Sequence, residues 1–113
     1  MRKLLMTGLV IAAAVSGVAS AADRHGNAQA GRDFAGHNCD ACHVIATSQD
    51  LRPLVTDYAP SFYQIANEPN VTKESLRAFL SRPHGYSNMP YPDLTSADLA
   101  NVVAYITSLR GHH

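Results

Sequence analysis

From residue 27 onward the apolar positions of the chain fall into helical registers. Over 27–38, Ala30, Phe34 and His37 recur at helical spacing, with Asn27 placed to cap the start. Over 61–66, Phe62, Ile65 and Ala66 share one side, which predicts a short helix stopped near Pro69. Thr72 is a good N-cap for a helix over 73–80, where Leu76, Phe79 and Leu80 follow the i, i+3, i+4 rule. Pro83 and Gly85 end it. Thr95 with Asp98 three residues later has the pattern of a capping box. Leu99, Val102, Val103, Ile106 and Leu109 then mark one face of a last helix that ends before Gly111.

The connections are irregular. The stretch 47–59 is polar and broken by Pro53, and 82–94 holds three prolines, a glycine and two tyrosines. No segment alternates as a strand would, and there are no repeats. The expected fold class is all-α: a small domain of three main helices plus loops.

The chain before residue 22 follows a different rule. Arg2 and Lys3 give a positive start, residues 4–18 are apolar or small without charge, and Ala19-Ser20-Ala21 has the spacing a signal peptidase requires. An uncleaved anchor is the competing reading, because the 19 residues of 4–22 approach the length that spans a bilayer. This stretch is rich in Ala, Gly and Ser rather than Leu, and it ends in a cleavage pattern. The expectation is therefore a cleaved signal over 1–21 and one domain over 22–113, with Asp23 as a start one residue later. It implies export to the periplasm and no stable membrane insertion after cleavage.

Composition narrows the function. Loss of Arg2 and Lys3 leaves seven basic against nine acidic side chains, a net charge of −2 with His neutral. No basic patch is visible, so nucleic-acid binding is not expected. A domain of 92 residues buries a limited fraction of its surface and often needs a staple or a cofactor. The chain has two cysteines, Cys39 and Cys42, and a disulfide across so short a loop would stabilise little. Chemistry must explain them.

Cys39-Asp40-Ala41-Cys42-His43 is a C-x-x-C-H motif, which reads as a covalent haem attachment site. Two thiols three positions apart on a helical turn can meet the two vinyl groups of one porphyrin, and the next residue, His43, can turn its imidazole to the iron. A zinc site on Cys39, Cys42 and His43 competes, but structural zinc usually takes a second ligand pair, and none is present. A thioredoxin-like redox pair competes as well, but it wants a strand–helix setting. A chance motif is the remaining alternative.

The second iron ligand is sought among Met and His. Met89 is the one methionine after the leader, 46 residues beyond His43 and followed by Pro90. A lone Met is commonly core filler, yet a proline-rich loop is a poor place for that role. His84, five residues earlier, is the rival ligand. Methionine ligation raises the reduction potential relative to histidine. His25, His37, His112 and His113 are expected to be solvated, with the last two on a frayed terminus.

With these motifs in order, the chain resembles the small class I (mitochondrial-type) cytochromes c, as a short single-haem periplasmic bacterial member. The resemblance rests on Gly31 and Phe34 in the leading helix, Cys39 to His43, Ala59-Pro60-Ser61-Phe62, Asn88-Met89-Pro90, and the last helix. It implies the cytochrome c fold around one covalently bound haem c, with His43 and Met89 as axial ligands. It implies that the first and last helices cross at Gly31, Phe34 and Tyr105, where a glycine lets two backbones approach closely. It further implies a proline carbonyl on the other ring nitrogen of the iron-bound His, which orients the ring. Pro60 matches that proline, with Phe62 then packing on the haem; Ala59 stands where the family has glycine, and Pro53 is the alternative. Tyr58, Tyr86 and Tyr91 flank the same loops as candidates for haem contact.

The function expected is electron transfer rather than catalysis, by a monomer that docks transiently on redox proteins through small interfaces. Donors would be a quinol-oxidising cytochrome complex or a periplasmic dehydrogenase, and acceptors a terminal oxidase or reductase. After the leader only Lys73 remains, so the lysine-rich docking ring of mitochondrial carriers is absent. The alternatives are a haem enzyme or gas- or peroxide-reactive protein, with His84 as an acid–base group, and a fixed subunit of a larger complex.

Overall fold

Each helix starts where the sequence supplies a cap. In the computed structural model, which describes residues 25–49, 53, 59–84 and 91–113, helix α1 (Ala28–Asn38) begins at Asn27, whose side-chain oxygen accepts the Ala30 N–H at 2.9 Å. Helices α2 (Phe62–Asn67), α3 (Lys73–Leu80) and α4 (Ser96–Ser108) each open on a reciprocal capping box, formed by Ser61 with Gln64, Thr72 with Ser75, and Thr95 with Asp98. Such caps satisfy otherwise orphaned N–H groups and contribute about 1 kcal/mol each. Among the described residues there is no strand. The leader 1–21, Tyr58, Tyr86 and Met89 lie outside the described residues.

Helix α4 is the hub, with α1, α2 and α3 each packed against it. Val102, Val103 and Ile106 are its largest fully buried side chains, and Leu99 and Leu109 flank them half-buried. Phe62 and Ala66 of α2, Leu76 of α3 and Ala35 of α1 complete the core together with Ile45 and Ala46.

The buried face of α1 differs from the hydropathy pattern. Gly31 and Ala35 are buried, whereas Ala30 and His37 are exposed and Phe34 is half-buried. The reason is the closeness of the crossing. A Cβ on Gly31 would lie 2.0 Å from the Asn101 carbonyl oxygen and 2.9 Å from the Tyr105 Cβ. The helices touch backbone to backbone there, so the smallest residues face α4 and the larger Phe34 is displaced to the flank.

Tyr105 links this crossing to the loop after α1. Its buried hydroxyl donates to the Ile45 carbonyl at 2.7 Å, across 60 residues of sequence. Tyr105→Phe removes that bond and keeps the ring, so it is expected to cost about 1–2 kcal/mol. For a domain of this size that lowers the melting temperature by about 4–16 °C, read by thermal unfolding of the haem-loaded protein. An unchanged melting temperature would show that the hydroxyl contributes nothing.

The end of the chain is tied down rather than frayed. Asn67 donates its amide to the His112 carbonyl at 2.8 Å and accepts the Gly111 N–H at 2.8 Å. Arg110 donates through Nε to the Ala66 carbonyl at 2.9 Å and through a second guanidinium nitrogen to the Val71 carbonyl. Gly111, at φ +82, makes the left-handed turn that brings these residues back to α2.

Candidate haem site

Cys39 is the C-cap of α1, and the motif continues directly from it as a turn. The Cys42 and His43 N–H groups both donate to the Cys39 carbonyl, at 3.2 and 2.9 Å. The helix end and this turn together set the spacing of the two thiols and aim the residue that follows them.

His43 is oriented from behind. Its Nδ1 lies 2.7 Å from the Pro60 carbonyl oxygen. A carbonyl can only accept, so the proton sits on Nδ1 and Nε2 keeps a free lone pair. This is the tautomer a metal-ligating imidazole needs, with the carbonyl behind it fixing the ring. The bond is made to Pro60, not to Pro53. It is braced by the Phe62 N–H donating to the Val44 carbonyl at 2.9 Å, which laces the start of α2 to the residue after His43. The Phe62 ring stands 5.4 Å from that of His43 and 6.2 Å from that of Tyr105.

Gln49 is a feature of the loop that the sequence did not announce. Its side-chain oxygen accepts the Ile45 N–H at 2.8 Å, and its amide donates to the Asp40 and His43 carbonyls at 3.2 and 3.4 Å. One side chain thus closes the turn that carries Cys42 and His43. A polar residue in a loop has no periodic signature, so nothing in the pattern singled it out.

Cys39, Cys42 and His43 open onto a cavity of about 720 Å³, whose walls include Phe62, Leu76, Leu80, Val102 and Ile106. That volume lies within the range of about 300–1,000 Å³ for small-molecule and cofactor sites. A large apolar ring system fits the walls, a free imidazole nitrogen is present for its metal, and two thiols stand at the same edge. The residues therefore suit haem.

They suit the competing readings poorly. Burial, with the Asp40 carboxylate and the Cys42 thiol beside it, pushes the Cys39 thiol up to about 11. A redox-active pair needs the opposite shift and profits from a helix N-terminus, whereas Cys39 sits at a helix C-terminus. Among the described residues no group of three or more His, Cys, Asp or Glu is arranged to hold a metal ion.

On the cavity wall stand His84 and Tyr91. The His84 ring lies 6.2 Å from that of His43, 4.7 Å from Phe79 and 5.0 Å from Tyr91. Burial and the neighbouring His43 hold the His84 imidazole below its ordinary pKa against the raising effect of the Arg82 backbone, which favours the neutral ring. Tyr91 donates its hydroxyl to the Leu80 carbonyl at 2.5 Å, and burial together with the Cys39 thiol raises its pKa.

The family model for cytochrome c matches residues 28–110. The chain belongs to the cytochrome c family. It is also 35% identical over 102 residues to cytochrome c-552 of Bradyrhizobium diazoefficiens, an overlap covering 90% of each chain. No solved structure matches at a significant level. As a c-type cytochrome, the protein carries covalently attached haem c and transfers electrons to and from redox partners. Among the described residues no helix is long and apolar enough to cross a membrane.

Proposed function

We propose that this chain is a single-haem shuttle of the bacterial periplasm, passing one electron at a time between soluble or membrane-bound redox proteins. In this reading the leader 1–21 is removed after Ala21 and the domain 22–113 works as a monomer. Cys39 and Cys42 hold the haem through thioether bonds, His43 is one axial ligand, and Met89 is the other. Phe62 packs on the ring.

The observation that carries the reading is the 2.7 Å contact from His43 Nδ1 to the Pro60 carbonyl beside a cavity edged by both thiols. The haem supplies a one-electron iron couple, and the protein sets how readily it is used. The Pro60 carbonyl makes His43 a stronger donor, which favours the oxidised form, while a thioether ligand favours the reduced form and raises the potential. The apolar wall excludes water, so little solvent has to reorganise when the charge changes.

The test is a reduced-minus-oxidised spectrum of the purified mature protein together with the near-infrared region of the oxidised form. A c-type spectrum with a weak sulfur-to-iron band is expected, and the mature N-terminus should read Ala22. Absence of that band together with fast carbon monoxide binding by the reduced protein would replace the shuttle with a ligand-binding or catalytic haem protein.

A further inference from the structure

His84 is the residue of the cavity that electron transfer through His43 and Met89 leaves without a task. Its position is specific. The ring is packed between Phe79 and Tyr91 at 4.7 and 5.0 Å, and Tyr91 is itself fixed by its bond to the Leu80 carbonyl. Among the described residues, its Nδ1 is the buried side-chain polar atom left without a hydrogen-bond partner. Buried polar groups in native proteins are nearly always paired; the Arg82 backbone is near enough to act on this ring but not in bonding geometry with Nδ1, so the held imidazole invites a functional explanation.

The distance to His43 supplies one. The two ring centroids are 6.2 Å apart, with the rings inclined at 62°. Imidazoles that share one metal ion from opposite sides have centroids about 6 Å apart, because each nitrogen–metal bond is about 2 Å and the nitrogen lies about 1 Å from its ring centre. Rotation about the nitrogen–metal axis leaves the angle between such rings free.

We propose that His84 is a reserve axial ligand, taking the second position on the haem iron whenever the Met89 sulfur is not bound there. In the exchange an iron–sulfur bond breaks and an iron–nitrogen bond forms. Both donors are neutral, so no proton or electron moves. The iron is then never left with an open position that peroxide or a diatomic gas could enter, and the reduction potential falls when His replaces Met. The inference rests on the reading of Cys39, Cys42 and His43 as the haem site.

Three haem-loaded variants test it: Met89→Ala, Met89→Ala with His84→Phe, and His84→Phe alone. Phenylalanine keeps the ring packing and removes the nitrogens. Met89→Ala is expected to remain low-spin, with the electron paramagnetic resonance signature of two histidines. The double variant is expected to turn high-spin and to bind carbon monoxide at least tenfold faster when reduced. High-spin Met89→Ala binding carbon monoxide as fast as the double variant would overturn the proposal. The wild-type near-infrared band reads Met89 separately. If that band is missing, His84→Phe alone decides, since conversion to high spin supports His84 as ligand and an unchanged spectrum overturns it.

Discussion

Replacing Cys39 and Cys42 together by serine is expected to leave no cooperative fold in the haem-free chain. A cavity of about 720 Å³ lies at the centre of the helices, walled by core residues such as Phe62, Leu76, Val102 and Ile106. The space is partly open to solvent, so without the ring water meets apolar walls whose burial is worth about 25 cal/mol per Å². Whole domains have only about 5–15 kcal/mol of stability. The haem-free chain must therefore collapse into the space or unfold, and the native arrangement of α2 and α3 around it is lost in either case. Far-UV circular dichroism during a thermal ramp is the measurement, and a weak, broad transition is expected. A sharp melt would show that the helices hold together without the ring.

Gly31→Ala is expected to be one of the two most damaging alanine substitutions among the described glycines, Gly26→Ala being the other. The new Cβ would stand 2.0 Å from a backbone oxygen of α4, where an ordinary carbon–oxygen contact is about 3.3 Å or more. Backbone cannot rotate away as a side chain can, so α1 must back off along the whole crossing. Overpacking of this kind costs typically 1–3 kcal/mol, and a site against main chain belongs at the upper end. The better helix propensity of alanine returns at most about 1 kcal/mol. A net loss of about 2 kcal/mol lowers the melting temperature by roughly 8–16 °C. Gly36→Ala is the matched control on the same helix, because its Cβ would meet only the Ile45 Cδ1 at 3.8 Å. That variant should be neutral or slightly stabilising. Equal melting temperatures for the two variants would refute the close-crossing argument.

Three helix starts were legible in the sequence because capping is local: Asn27, Thr72 and Thr95 each act within three residues. The face of α4 was legible because it is wide and aliphatic. Hydropathy did not reveal the face of α1, because a close backbone approach selects Gly31 and Ala35, which carry almost no hydropathy signal; Gly31 and Tyr105 were reached through the family resemblance. The attachment motif could be read from spacing alone, whereas Pro60 was reached only through the family resemblance. The long-range ties of Asn67, Arg110 and Tyr105 to backbone carbonyls lay beyond pattern reading. A side chain that meets a carbonyl 39 to 60 residues away leaves no period in the chain. Gly26 belongs to the same class, since it combines a φ of +68 with a Cβ site 2.0 Å from the Ala100 carbonyl oxygen.

The partnership of α1 with α4 also sets a schedule. The Asn27 N–H donates to the Asn101 side chain, across 74 residues, so the first helix finds its mate only when the last has been made. At about 5–20 residues per second, ribosomal synthesis separates the two by roughly 4–15 s. Throughout that interval Cys39, Cys42 and His43 belong to an open chain. Until α4 exists, α1 has no surface against which to bury Gly31 and Ala35, so the close crossing cannot yet hold the chain in its final shape. A circular permutant joining the two helices directly would let them meet early and remove that delay.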